Sequence, residues 1–97
     1  MKELGFEWDK RKEAANVKKH GVTFKEARTA FYDESAIQFY DPDHSEQEDR
    51  FILLGLSLKP QVLVVCHCFR ESETVVRIIS ARKADKDEER AYWERRK

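Results

Sequence analysis

Polar and apolar residues change period several times along the chain. Phe6 and Trp8 alternate with Glu7 and Asp9, a period of two that predicts a short β lead-in. Asp9 is a good N-cap, and the spacing predicts a helix from Lys10 to His20 with a thin apolar stripe at Ala14 and Val17. Gly21 suits its left-handed stop. Thr23 to Glu26 has the form of a capping box, with Glu26 reaching back, and opens a second helix running to about Phe31 or Tyr32. Its apolar side is Phe24, Ala27, Ala30 and Phe31.

Alternation then returns. Ser35 to Tyr40 reads as a short edge strand, and the polar run from Asp41 to Asp49 as an acidic loop with nothing to contribute to a core. Arg50 to Ser57 is a second strand, Val62 to Phe69 an apolar and central third, and Thr74 to Arg82 a fourth. The short connections at Lys59-Pro60 and Arg70 to Glu73 make strands two to four an antiparallel meander. The second connection lacks the glycine expected before the last strand. Asp85 to Glu88 carries another capping-box pattern and starts a terminal helix that leans on the sheet by Tyr92 and Trp93. The order predicts an α+β fold: two N-terminal helices packed on a four-stranded antiparallel sheet, with a C-terminal helix, in one domain spanning residues 1–97.

Composition narrows the function classes. Neither end has an apolar run long enough for a signal peptide or a membrane span, so a soluble cytoplasmic protein with no membrane partner is expected. Cys66 and Cys68 lie two apart on one strand face, poor disulfide geometry, and no further ligand stands at metal spacing. Two free core thiols, no metal and no cofactor follow. The 19 basic and 19 acidic residues cancel, which argues against a generic nucleic-acid binder. They are nevertheless segregated. Residues 29–49 hold seven carboxylates and no Lys or Arg, whereas residues 50–83 hold six cations against two carboxylates. A polyanion would be gripped by the first helix and the sheet, and the acidic segment would face elsewhere or meet a basic partner.

No nucleophile elbow, phosphate-binding glycine loop, zincin motif or dinucleotide fingerprint occurs. What remains is arginine, glutamate, histidine and lysine around a sheet, a set suited to a phosphodiester. Metal-free RNA cleavage needs a base for the 2′-OH, cations for the phosphoryl oxygens and an acid for the leaving 5′-oxygen. Arg77, flanked by apolar residues, is either a phosphate clamp or a structural ion pair. Glu48 and Arg50, two apart, share a face or form a surface pair. His20 is the histidine best placed to titrate usefully, although Lys18, Lys19 and His20 also complement the helix dipole. His67 reads as a hydrogen-bonded core residue and His44 as loop surface. If Lys59-Pro60 is a two-residue turn, Leu58 faces Gln61, and Arg50 lies roughly 26 Å from the Arg82 end of the sheet. Only a bulge or a longer turn would then bring Arg77 to the face of Arg50.

Phe6-Glu7-Trp8-Asp9, Asn16, Lys19-His20-Gly21-Val22, Phe24, Ala27, Phe31, Asp43-His44-Ser45, Glu48, Arg50 and Arg77-Ile78-Ile79-Ser80-Ala81-Arg82 together resemble the BrnT toxin family. The resemblance spans almost the whole chain. It implies a RelE-like ribonuclease, the toxin of a type II toxin-antitoxin pair, which inhibits growth by cutting RNA until a BrnA-type antitoxin covers it. Such antitoxins carry a ribbon-helix-helix DNA-binding portion, so DNA would be met only through the complex. The residues at stake by position are Lys19, His20, Glu48, Arg50, Arg77 and Arg82. In that reading Glu48 or His20 is the base, Arg50 and Arg77 clamp the phosphate, Lys19 and Arg82 contact RNA, His20 or Tyr92 is the acid, and Tyr92 also offers a ring for stacking on an RNA base. The alternative is a non-catalytic binding module in a DNA-binding repressor complex.

Overall fold

The computed structural model describes residues 4–96. In chain order it contains β1 (Gly5–Glu7), α1 (Lys10–His20), α2 (Phe24–Ala30), β2 (Ile37–Tyr40), a 3-10 turn (Pro42–His44), β3 (Phe51–Leu56), β4 (Val62–Arg70), β5 (Val75–Lys83) and α3 (Lys86–Arg96). The sheet order is β1-β5-β4-β3-β2. β2 to β5 form the expected antiparallel ladder, with β2 at one edge. β1 adds a fifth strand parallel to β5, pairing Phe6 with Val76 and Glu7 with Arg77. The expected four-stranded antiparallel sheet is thus corrected to a five-stranded mixed one. The backbone groups of the lead-in need partners, and the free edge of β5, some 70 residues on, supplies them.

β1 ends at Glu7, so among the described residues no strand lies beside the outer edge of β5 beyond Arg77. Asn16, buried on α1, takes that place. Its Nδ2 donates to the Ala81 carbonyl at 2.8 Å and to the Val22 carbonyl at 2.9 Å, and its Oδ1 accepts from the Ala81 N–H at 3.0 Å. One side chain therefore docks α1 on the sheet and fixes the turn that follows. The helix begins at Asp9, whose carboxylate accepts from the Lys12 and Arg11 N–H groups, contacts that hold it below the usual range. It stops at Gly21, whose φ of 71° is the left-handed conformation.

α2 starts with Thr23 accepting from the Glu26 N–H at 3.0 Å. Glu26 does not reach back. It turns into the protein, where its Oε2 accepts from Ser57 Oγ at 2.7 Å and Gln61 Nε2 at 2.6 Å. Glu13 of α1 instead caps the Phe24 N–H at 2.8 Å. At α3 the capping box closes as expected, with Asp85 and Glu88 each accepting the other's N–H. The glycine-free turn before β5 places Glu71, Ser72 and Glu73 at φ of 49°, 56° and 68°. The left-handed backbone that calls for glycine is there, held by residues that adopt it less readily.

The main core lies between α1, α2 and the sheet and includes Phe24, Ala27, Leu63, Val65, Val76 and Ile78. Close packing there reaches the backbone: a Cβ on Gly55 would sit 2.9 Å from the Ala30 carbonyl oxygen. A smaller core on the opposite face joins Leu54, Val62 and Val64 to Tyr92 of α3.

His67 is fully buried, as its strand position implied. Its Nδ1 lies 3.1 Å from the Val65 carbonyl and its Nε2 2.9 Å from the Gln38 side-chain amide, and Phe31 and Phe69 pack edge-on against the ring. Burial pushes its pKa down to about 4. The unfolded chain binds this proton near 6.5 and the folded one only near 4, so protons favour unfolding between those values. Stability should fall as pH drops from about 6.5 to about 4, by roughly 3 kcal/mol from this group. Urea midpoints across that window should decline in the wild type and flatten in His67→Gln; equal slopes would refute the assignment.

Candidate active site

Two departures from regular pairing decide which side chains share the face opposite α1 and α2. The β3–β4 connection leaves three residues, Leu58 to Pro60, between the Ser57 N–H and the Gln61 carbonyl, which bond at 3.0 Å. Leu56 therefore faces Val62, and the expected register shifts by one residue. On β5 a bulge inserts Ile79 between Ser80, which faces Cys66, and Ile78, which faces His67. Alternation through regular pairing would send Ile78 to the same side as Ser80 and Arg82. With the bulge, Ile78 stays in the main core and Arg77 joins Ser80 and Arg82 on the open face.

The long separation expected between Arg50 and the Arg82 end shortens: Arg82 faces Val64, which faces Leu54, about 13 Å along β3 from Arg50. Phe51 faces His67, so Arg50 precedes β3 beside Cys68, and Cys68 pairs with Arg77. Arg50 and Arg77 lie in one cross-strand row, about 10 Å apart at two strand spacings. α3 covers the Leu54–Val64 end of this face and leaves the Arg50–Ser80 end open.

At the open end is a cavity of about 370 Å³ whose wall includes His20, His44, Arg50, Cys66, Ser80 and Arg82. His20 arrives at the C-terminus of α1, brought there by the Asn16 anchor. A neighbouring hollow of about 300 Å³ lies within the acidic loop and shares His44 and Arg50 with the first. The loop's neck is tied shut. The Asp41 N–H donates to the Arg50 carbonyl at 2.9 Å, the Arg50 N–H to Ser45 Oγ at 2.9 Å, and Ser45 Oγ to the Asp41 carbonyl at 2.5 Å. These bonds satisfy the backbone of Arg50 and leave its side chain to the cavity.

The three arginines differ in what they already hold. Arg77 Nη1 donates to Glu7 Oε2 at 2.6 Å, and that hydrogen bond raises the pKa of Arg77 further. Arg82 grips Glu88 through both Nη atoms at 2.8 and 2.9 Å, which ties the end of β5 to the first turn of α3 and draws the Glu88 carboxyl down. Arg50 has no carboxylate partner among the described residues, and its Nε is buried without a hydrogen-bond acceptor. A buried donor left unpaired is costly, and the Nη groups, which make no hydrogen bond to the described residues, are free to take an oxyanion.

Glu48 does not pair with Arg50. It bonds Arg70 at 3.3 Å and lies against Cys68. Burial pushes both thiols, Cys66 and Cys68, up, so neither is a thiolate nucleophile at neutral pH. Lys19 is exposed on the last turn of α1, outside the cavity wall. Tyr92 cannot stack on a base or donate a proton to a substrate from where it stands. It is 0 % exposed, and its hydroxyl donates to Asp33 Oδ2 at 2.5 Å. Burial alone would raise the Asp33 carboxyl, but the bonds from Tyr92, Leu56 N–H and Ser35 N–H outweigh it and hold the group low.

His44 is the residue that sequence reasoning passed over. It stands at the wall of both hollows, with Nδ1 2.8 Å from Asp41 Oδ2. Only the three-residue spacing from Asp41 to His44 hinted at this contact, and such spacing is common in loops. The arrangement as a whole is an open, water-accessible cavity whose wall carries two imidazoles and one arginine without a carboxylate partner among the described residues. It can bind a phosphate and exchange protons with it.

A sequence model of the family described as the BrnT ribonuclease toxin of type II toxin-antitoxin systems matches residues 8–88. Among solved structures, the crystal structure of the Brucella abortus ribonuclease toxin BrnT superposes with a TM-score of 0.62 at 22% identity, covering 89% of this chain and 100% of that one. That likeness establishes a shared fold. Comparison with curated proteins gives no match.

Proposed function

The chain belongs to the BrnT family, ribonuclease toxins of type II toxin-antitoxin systems, and on that premise we propose that it cuts RNA by metal-independent acid–base chemistry centred on Arg50. The observation that carries the reading is the Arg50 guanidinium, buried at Nε without a partner at the wall of an open cavity it shares with His20. The scissile phosphate binds there, because arginine stays charged and its planar fork matches two phosphoryl oxygens. His20 serves as proton donor or acceptor from the end of α1. Arg77 and Arg82, already paired with Glu7 and Glu88, keep those partners and contact neighbouring phosphates from their exposed sides, with Lys19 beside them. Glu48 orders the loop through Arg70.

A type II toxin requires an antitoxin, and a BrnA-type protein with a ribbon-helix-helix portion fits that place, so that the pair binds DNA through the antitoxin. Among the described residues no helix is long and apolar enough to cross a membrane.

Incubating purified protein with labelled RNA in EDTA tests the mechanism. Cleavage should persist, leave 2′,3′-cyclic phosphate and 5′-hydroxyl ends, and cease when the scissile nucleotide is 2′-deoxy. Loss of cleavage in EDTA with recovery on adding magnesium, or 5′-phosphate ends, would overturn it.

A further inference from the structure

Asp41 and His44 form a unit that the acid–base scheme above does not use. Asp41 is 8 % exposed, although it sits in a segment composed almost wholly of polar residues. Its carboxylate Oδ2 meets His44 Nδ1 at 2.8 Å, while the His44 side chain is 65 % exposed. A carboxylate only accepts, so Nδ1 carries the proton and the neutral ring presents a bare Nε2. Asp41 is also tied to Arg50 through the backbone bond at 2.9 Å and through Ser45. The carboxylate, the imidazole and the phosphate clamp are therefore held in one short, cross-braced loop.

The geometry points to His44 as the general base of the RNA-cleaving site, with Asp41 as the residue that positions its ring and sets its tautomer. This rests on the ribonuclease reading and names a residue pair within that site. His44 Nε2 takes the proton from the 2′-OH; O2′ forms a bond to the adjacent phosphorus held by Arg50. The P–O5′ bond breaks with its electron pair on O5′, which receives a proton from His20, the other imidazole of the cavity wall. The products are a 2′,3′-cyclic phosphate and a 5′-hydroxyl, and water returns the two rings to their starting states. His44 and Arg50 both line both hollows, so that a phosphodiester bound there has base and clamp at the same wall.

Three measurements on the intact chain test this. His44→Gln should lower kcat by about 10²-fold or more with KM nearly unchanged, as expected for loss of a general base. Asp41→Ala should lower kcat with His44 still present, and Asp41→Asn, which can still accept from Nδ1–H, should recover most of the rate. Nitrogen NMR of the wild-type ring should show a protonated Nδ1 and a bare Nε2, a reading that needs no variant to fold. Wild-type cleavage with His44→Gln equally active, or a ring protonated at Nε2 alone, would overturn the assignment and leave Arg50 and the ribonuclease reading standing. A wild-type protein that cleaves no RNA, with or without ribosomes, would overturn both.

Discussion

Arg50→Ala should lower RNA cleavage by about 10³-fold while the protein melts at the wild-type temperature or slightly above it. The activity loss follows from removing the cation that meets charge developing on the phosphoryl oxygens. The stability expectation follows from the side chain's lack of partners: Nε is buried without an acceptor, and no carboxylate of the described residues pairs with the guanidinium. The backbone bonds that close the loop neck, Arg50 N–H to Ser45 and Asp41 N–H to the Arg50 carbonyl, survive the substitution. A site residue kept at some cost to the fold is a common feature of active sites. Arg50→Lys should recover little, because an ammonium cannot span two oxygens in one plane. Arg77→Ala and Arg82→Ala provide the contrast. Each removes an ion pair, to Glu7 or to Glu88, and should therefore affect stability more and turnover less than Arg50→Ala. If Arg50→Ala cleaves RNA at the wild-type rate, or Arg77→Ala proves the more severely inactive, the clamp has been assigned to the wrong arginine.

The second large effect concerns the fold that carries His20 to the cavity. Asn16→Ala removes three buried hydrogen bonds at once, and it leaves the Ala81 N–H, the Ala81 carbonyl and the Val22 carbonyl without partners. At roughly 1 to 3 kcal/mol for each buried group left unmade, the expected loss is about 3 kcal/mol or more, a large share of a small domain's stability. Urea denaturation at neutral pH measures it directly. Asn16→Asp should be no better, since it keeps the acceptor for the Ala81 N–H but turns both donors into a carboxylate facing two carbonyl oxygens. Because α1 docks through this residue, cleavage should decline under mild denaturant in Asn16→Ala before the sheet unfolds. An unchanged urea midpoint would mean that water replaces the amide at no cost, and the anchoring role would be lost.

Much of the architecture could be read along the chain because it depends on neighbours in sequence. Asp9 and Gly21 bound α1, Thr23 opens α2, Asp85 and Glu88 close a capping box on each other, and apolar, β-branched runs mark β3, β4 and β5. The Lys19-His20-Gly21-Val22 and Arg77 to Arg82 motifs likewise pointed to the ribonuclease toxin family that the chain belongs to. Local physics acts over one or two turns, and residues three or four apart are enough to reveal it.

Which residues meet was a different matter. The three-residue turn at Leu58 to Pro60 and the bulge at Ile79 each shift parity by one, and in a sheet a shift of one exchanges faces. Arg50 and Arg77 thereby came to share a row, though the local pattern had set Arg50 apart. Glu7, Glu88 and Arg70 took Arg77, Arg82 and Glu48 as partners, so that of the candidate arginines only Arg50 remained free of a carboxylate among the described residues. Tyr92, a plausible acid by type, went into the second core because α3 had little else to bury, and His44, exposed on its loop as expected, is held in one orientation by Asp41. The sequence by itself determined the elements and the kind of chemistry available; only the tertiary structure decided which charge was left unpaired, because pairing depends on contacts across the sheet that no local pattern encodes.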